Sequence, residues 1–564
     1  MRRDKREAAN KKGKIIKIIV LIVVIILMAL LVWFKAPDYY VKEVKGKTNL
    51  VINNNNVTSK MKDDVYIDNK GVIYLSINDV RNYFDKYINY DENSNRLITT
   101  SDTKTATLIK DKKNIDINGS TVSIASTVIE KDGKIYIPFS ELAQNVYNVE
   151  IEHKESTDRV VIDSLDRELK KADSKKNVKV KYKAKKFSKT LAKVKQGEKI
   201  VVISQDEKWS KIRTENGIVG YVKNKTIANL TYVRENMEET KQVEGKVNLV
   251  WDYYSTVANA PDRTGTTIDG INVVSPAFFH LNKNGELEEN VGEAGKKYIE
   301  WAHNNGYKVW PMVQNSEAGS INVTSNIMND YNKRQELISQ IIIYCVKYKL
   351  DGVNIDFENM KQEDKNMYSR FIIELEPRLK EIGMTLSVDV TAPDGSETWS
   401  MCFDRNVIGD VADYIVFMAY DEYGASSNKA GTTAGYDWVE LGIKKFIETE
   451  EIKEEKIILA IPLYTRVWTE DSSGKITSKN TVSMKNTYSI IPNGVEKQWN
   501  DSLKQYYVEY KDGNNTKKIW IEDETSLKEK ISLIKKYKLG GVASWQKGME
   551  TDNFWEFLKN EIQD

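Results

Sequence analysis

The sequence predicts a multidomain protein. Its C-terminal part reads as an α/β (β/α)8 TIM barrel with a small α+β insertion after strand 7. Before it come a small β-barrel, a small α+β repeat domain and one N-terminal transmembrane helix. Three observations predict this. At 564 residues the chain is too long for one ordinary domain. An apolar run follows a basic tail at the start. From about Gly245 to the end, strand-like apolar runs alternate with helical patterns.

The N-terminal stretch "MRRDKREAANKKGK", residues 1–14, carries seven Lys or Arg and two acids. The run Ile15 to Phe34 is broken only by Lys17 and ends in Trp33 and Phe34. Twenty helical residues span roughly 30 Å, about one hydrocarbon core. The basic flank belongs on the cytoplasmic side, so the rest of the chain is expected outside the cell membrane. A cleaved signal peptide is the competing reading. No small-x-small site follows the run, and cleavage after Ala36 would leave Pro37 first. The expectation is therefore a single-pass signal anchor over 15–34, a linker over 35–45, and an extracellular catalytic domain.

Composition excludes other classes. The formal net charge is +2, so no global basic excess points to nucleic acid. The only cysteines are Cys345 and Cys402, with no CxxC and no Cys/His cluster, which argues against a zinc site or a disulfide framework. No cofactor and no metal is predicted.

Residues 46–165 hold an internal repeat. "GVIYLSINDVRNYFD" (Gly71 to Asp85) recurs 62 residues later as "GKIYIPFSELAQNVY" (Gly133 to Tyr147). Each copy reads as a short strand and an amphipathic helix, followed by alternating strand, "NRLITT" and "DRVVID". This resembles the copper amine oxidase N-terminal-like module, although His153 is its only histidine. The resemblance implies a spacer or wall-contact role. The Lys-rich segment 166–176 reads as a linker. Residues 177–230 have short strands, a central Trp209 and a closing "GYV", and resemble a bacterial SH3 domain, a module that positions enzymes on peptidoglycan. Its lysines could meet anionic wall polymers, or merely be a solvated surface. Several lysines also stand where a ligand groove normally shows aromatics.

The barrel, residues 245–564, is assigned strands beginning at Val247, Ile271, Lys308, Gly352, Thr385, Tyr414, Ile457 and Gly541. The connection from about 464 to 525 includes "KQYYVEY" and "KKIWIEDE", which alternate like strands and suggest an insertion walling a cleft. In "LDGVNIDFENM" (Leu350 to Met360), Asn354, Asp356 and Glu358 share one face, and Val353, Ile355 and Phe357 the other. A polar row inside a barrel is costly unless the groups bond one another or do chemistry. Glu358 falls at the C-terminal mouth, where barrel enzymes place their sites. Two carboxylates this close cannot both ionise freely, so one stays protonated and suits a general acid.

"DGVNIDFE" matches the glycoside hydrolase family 18 signature. "FMAYDE" (Phe417 to Glu422), "IPLYTRVW" (Ile461 to Trp468) and "GVASWQKG" resemble the family's strands six, seven and eight. The chain looks closest to the spore-germination and cortex-lytic members, of N-acetylglucosaminidase type. By resemblance, Glu358 protonates the leaving oxygen, and the substrate's own 2-acetamido oxygen is the nucleophile. Asp356 orients the acetamido N–H and stabilises the oxazolinium, and Tyr420 bonds the acetamido oxygen. Trp545 floors the sugar pocket; Tyr464 and Arg466 are substrate contacts; Asn354, Asp351 and Asp421 are supporting residues. Many family chitinases have Asp in place of Asn354. As an amide, Asn354 is expected to donate to Asp356 and to remove one ionisable group. The implied partners are an N-acetylated glycan, peptidoglycan or spore cortex, with the SH3-like domain on the wall and one helix in the membrane. The alternatives are a chitinase, or a catalytically silent glycan-binding scaffold on the same barrel.

Overall fold

The computed structural model describes residues 17–30, 46–92, 94–234 and 243–562. Among the described residues no helix is long and apolar enough to cross a membrane. Of the expected 15–34 span, residues 17–30 are helical and expose apolar side chains such as Ile18 and Leu27. The remaining residues of that span, the basic tail and the 35–45 linker lie outside the described residues. The chain divides into two compact units, Met1–Ser101 with Ala106–Glu239, and Asp102–Thr105 with Thr240–Asp564.

In the first unit the two repeat copies meet. The strand Ile73–Ser76 pairs antiparallel with Lys134–Ile137, the corresponding strand of the second copy. Ser76 caps the following helix Ile77–Tyr83 by accepting from the Asp79 N–H. Leu75, Val80, Ile137 and Phe139 close the shared core. The SH3-like module is part of a seven-stranded sheet in the order Thr190–Val194, Val178–Lys181, Val219–Lys223, Trp209–Thr214, Lys199–Gln205, Leu169–Ser174, Ile227–Arg234. The expected linker over 166–176 is corrected here. Leu169–Ser174 is a strand, paired on both sides, with Ala172 and Ser174 buried on one face and Lys171 and Asp173 on the other, and with Leu169 buried beyond a register shift at Leu169/Lys170. The lysine content hid that alternation.

The second unit is a closed parallel ring. We label its strands β1 (Val247–Asp252), β2 (Val273–Pro276, resumed as Phe279–Leu281), β3 (Lys308–Val309, resumed as Met312–Gln314), β4 (Gly352–Asp356), β5 (Thr385–Thr391), β6 (Tyr414–Met418), β7 (Ile457–Pro462) and β8 (Gly541–Trp545). Each pairs with the next, and β8 pairs with β1. The break in β3 falls at Pro311, which has no N–H to give a ladder; its carbonyl still accepts from the Asn354 N–H. Glycine at 352 and 541 is required by close approach, since a Cβ would lie 2.5 Å from the Thr385 carbonyl oxygen and 2.0 Å from that of Val247. Strands buried on both faces read as continuous apolar runs, as in β7. Val353, Ile355 and Phe357 pack against the helix layer, Phe357 stacking on Phe371 at 5.8 Å. The barrel interior is filled by Trp251, Trp310, Met312, Val416, Ile458 and Ala543. Between β7 and β8 lies a five-stranded antiparallel sheet, ordered Ile476–Ser483, Tyr464–Glu470, Asn515–Ile521, Gln505–Asp512, Gln498–Asn500. It is tied to the helix Glu524–Lys536 by the buried Glu522 carboxylate, which accepts from Lys530 at 2.8 Å and Ser526 at 2.9 Å.

Candidate active site

The apolar filling stops where β4 turns polar. Asn354 is fully buried, Asp356 ends the strand, and Glu358 follows at the mouth. Asn315, just past β3, holds the Glu358 backbone at both ends: its side chain accepts from the Glu358 N–H and donates to the Glu358 carbonyl, each at 2.9 Å. The chain then turns through Asn359 at φ +47°. Gln314, the last residue of β3, donates to Asp356 Oδ2 at 3.1 Å. Asp356 Oδ1 is buried with no partner.

Two expectations are corrected by the geometry. Asn354 does not donate to Asp356. Its amide donates to Asp389 Oδ1 at 2.6 Å and to Ser387 Oγ at 3.0 Å, and its Oδ1 accepts from the Trp251 ring N–H at 2.8 Å. A third carboxyl therefore belongs to the cluster after all, delivered from β5 instead of β4. Asp351 is not a site residue. It precedes β4, at the far end of the strand from Glu358. There it accepts from Lys308 Nζ and the Val309 N–H at 3.0 Å, and it lies 2.9 Å from His303. One residue before a strand that begins with a required glycine, it sits with the stabilising end of the barrel.

Tyr420 and Asp421 leave the end of β6, Asp421 at φ +59°. Asp421 Oδ1 accepts from the Tyr464 hydroxyl and from Arg466 Nη2, both at 2.7 Å. Arg466 is buried and acts on the cavity only through Asp421. Tyr464 lines the cavity with Asp421 and packs edge-on against Tyr420 at 6.3 Å. Trp545, ending β8, lies between Trp251 at 5.7 Å and Tyr253 at 5.6 Å. Asp356, Glu358, Tyr420, Asp421, Tyr464 and Trp545 line a cavity of about 610 Å³ that also takes in Trp399, an exposed indole after β5. That is room for a sugar-sized ligand on an aromatic floor.

The electrostatics follow from burying acids without a cation. No Lys or Arg lines the cavity among the described residues. Burial pushes the Glu358 carboxyl up to about 8, with the Asp356 and Asp421 charges adding to it. Burial raises Asp356 to about 6, against the donation from Gln314. Asp389 is held well above the usual carboxylate range by burial, then by Asp356 and Glu358, with the Asn354 donation opposing. Burial also raises the Tyr420 phenol well above its usual range. Near pH 7 the arrangement is thus an ionised Asp356 beside a proton-bearing Glu358, which can protonate a leaving group while a positive charge develops next to the carboxylate. Among the described residues no group of three or more His, Cys, Asp or Glu side chains is arranged to hold a metal ion.

The sequence reading missed Asp389, Gln314, Asn315 and Trp399. Asp389 had a signal: it is the one acid within the β5 run "TLSVDVT", on the same alternation as Ser387.

Three sequence profiles match the chain: glycosyl hydrolases family 18 over residues 249–550, bacterial SH3 domain over 176–228, and copper amine oxidase N-terminal domain over 51–162. The glycosylase YvbX of Bacillus subtilis is 27% identical over 297 residues, 51% of this chain and 84% of that protein. The cortical fragment-lytic enzyme of Bacillus subtilis is 25% identical over 242 residues, 42% of this chain and 55% of that enzyme. So the chain spans little more than half the length of that second relative. A chitinase from Chromobacterium violaceum shares the fold with a TM-score of 0.51 at 24% identity, covering 57% of this chain and all of that one.

Proposed function

The chain belongs to glycosyl hydrolases family 18 and is a glycosidase, and from that premise we propose that it cleaves N-acetylglucosamine-containing wall glycan, peptidoglycan or spore cortex, by substrate-assisted retaining catalysis. The observation that carries this reading is the pair of unequal acids at the mouth of β4: Glu358 keeps its proton to about 8 while Asp356 titrates near 6. Glu358 then protonates the glycosidic oxygen. The substrate's acetamido oxygen attacks the anomeric carbon, and the ionised Asp356 faces the N–H and the positive charge of the oxazolinium. Tyr420 donates to the acetamido oxygen, Trp545 carries the sugar face, and Tyr464 with Arg466 holds Asp421 at the rim. The likeness to cortical fragment-lytic enzyme supports a wall substrate over chitin.

We further read the protein as anchored by its first helix, whose described turns expose apolar side chains. The SH3-like module would touch the wall through an open recess of about 630 Å³, bounded by Trp209, Lys185, Lys186, Lys208, Lys223 and Lys225. That charge suits an anionic polymer better than a neutral glycan. The test is digestion of purified peptidoglycan, cortex and chitin by the protein, with mass spectrometry identifying the sugar at each new reducing end. Release of N-acetylglucosamine ends from wall or cortex supports the reading. Cleavage of chitin alone makes the enzyme a chitinase, and cleavage of none of them leaves the silent scaffold.

A further inference from the structure

Asp389 is the buried acid that the chemistry above leaves unused. The register that pairs Asn354 with Ser387 and Ile355 with Val388 carries Asp356 alongside Asp389, on the same inward face of adjacent parallel strands. Its titratable surroundings are Asp356 and Glu358 from β4, Tyr420 after β6, and Tyr368 on the helix Lys365–Glu381 behind the strand. None is a cation. A carboxylate here would be an additional buried negative charge without a counter-ion. A neutral carboxylic acid avoids that, and it owns one O–H. Asp389 Oδ1 is already engaged as an acceptor by the Asn354 amide, so the hydroxyl falls on Oδ2. On the neighbouring strand, Asp356 Oδ2 is taken by Gln314, while Asp356 Oδ1 is buried without a partner. Both side chains line the same cavity at the same level of the register.

We propose that Asp389 is a positioning residue that stays a neutral acid in the working enzyme, its Oδ2 hydroxyl donating to Asp356 Oδ1 so that Asp356 carries the negative charge beside Glu358. The proposal rests on reading Asp356 as the ionised partner. It gives Asn354 a purpose: an amide cannot titrate, and by occupying Oδ1 it fixes which oxygen of Asp389 bears the proton. It also makes the strand-to-strand relocation of the third carboxyl functional instead of a remnant.

The test has two arms. Isotope-edited infrared spectroscopy of protein labelled at the Asp carboxyl carbons, taken near neutral pH, reads protonation without turnover. A protonated Asp carbonyl band is expected that D389N removes and E358Q leaves. Absence of the band, or its survival in D389N, overturns the proposal. The second arm is kcat/KM against pH. D389N keeps a donor, so its acid limb should stay within a few tenths of a pH unit of wild type. D389A removes the donor to a buried carboxylate, so its acid limb should rise by about one pH unit and kcat/KM fall roughly tenfold or more. A merely structural Asp389 would lower Tm in both variants and move neither limb; an acid limb that falls in D389N would mean Asp389 was ionised. Either outcome sinks the idea. If the wild type cleaves no glycan, the proposed function fails, and the infrared arm still decides Asp389.

Discussion

Replacing Gln314 with leucine should narrow the working pH range from its acid side. The Gln314 amide is the donor that holds Asp356 down, at 3.1 Å from Oδ2, while burial pushes it up to about 6. Leucine keeps the shape and removes the donor. A hydrogen bond to a buried charge is worth about 1.5–3 kcal/mol, which at about 1.36 kcal/mol per pH unit raises Asp356 by roughly one to two units. Take an acid limb near 7.5 and an alkaline limb left near 8. The fraction of enzyme with Asp356 ionised and Glu358 protonated then falls about fifteenfold near pH 6, about fourfold near pH 7 and hardly at all near pH 8. As the limbs approach one another they belong to the cluster, not to single residues.

The assay is kcat/KM from pH 5 to 9 on a soluble N-acetylated oligosaccharide with a chromogenic leaving group. The loss should grow as pH falls. A loss of equal size at every pH would mean that Gln314 binds sugar and does not tune Asp356. An acid limb that stays put would refute the electrostatic reasoning outright.

Other outcomes follow from the same geometry. Glu358→Gln should lower turnover by about 10²–10⁴-fold while glycan binding survives, measured by single-turnover hydrolysis and calorimetry. The same change should raise Tm most at alkaline pH. The folded-state pKa of Glu358 lies above the ordinary value, so the wild type loses stability as pH climbs toward about 8, and Gln has nothing to lose; an equal Tm gain at pH 5 and pH 9 would contradict this. Protease added to intact, wall-stripped cells should release a fragment carrying the barrel and protect the residues before Ile15. A mature protein that starts near Ala36 and is found in the medium would exclude the anchor. Changing Lys208, Lys223 and Lys225 together to Gln should abolish salt-sensitive retention on wall that keeps its anionic polymers. Retention that is unchanged, or equal on wall stripped of those polymers, would assign the recess no such role.

What the sequence revealed and what it hid divide along one physical line. Period-two alternation within a strand is a local property, so the inward row Asn354, Asp356, Glu358 could be read directly, as could the outward row that packs on Phe371. Partnership across strands is set by register, which one strand's own sequence does not contain. Asn354 and Asp356 are two apart in sequence and face the same way, yet the amide donates across to its register partner Ser387 and diagonally to Asp389, thirty-five residues on. Asp351 misled for the complementary reason. It lies just before the acids of β4 in sequence, but a strand carries its two ends to opposite faces of the barrel, and Asp351 spends its charge on Lys308 and the Val309 N–H. The strand at 169–174 was hidden differently, by lysines at 170 and 171 and by a register shift after Leu169, which leave only Ala172 and Ser174 to show the alternation.

The same distinction explains why an amide at 354 and an acid at 389 belong together. With a carboxyl in place of the Asn354 amide, two carboxyl oxygens would stand 2.6 Å apart in a fully buried setting, and the pair would have to share a proton. With Asn there, the Trp251 N–H and Ser387 fix the amide's orientation, and the amide in turn fixes Asp389. One titrating group is thereby removed from β4 and one is supplied from β5, so the number of acids at the mouth is kept while the proton's address becomes definite. The double variant N354D with D389A therefore discriminates cleanly. If only the count of carboxyls matters, the double variant should recover the wild-type acid limb. If the address matters, the relocated carboxyl will lie alongside the Trp251 donor and Ser387 instead of Asp356 Oδ1, and the limb should rise as it does in D389A.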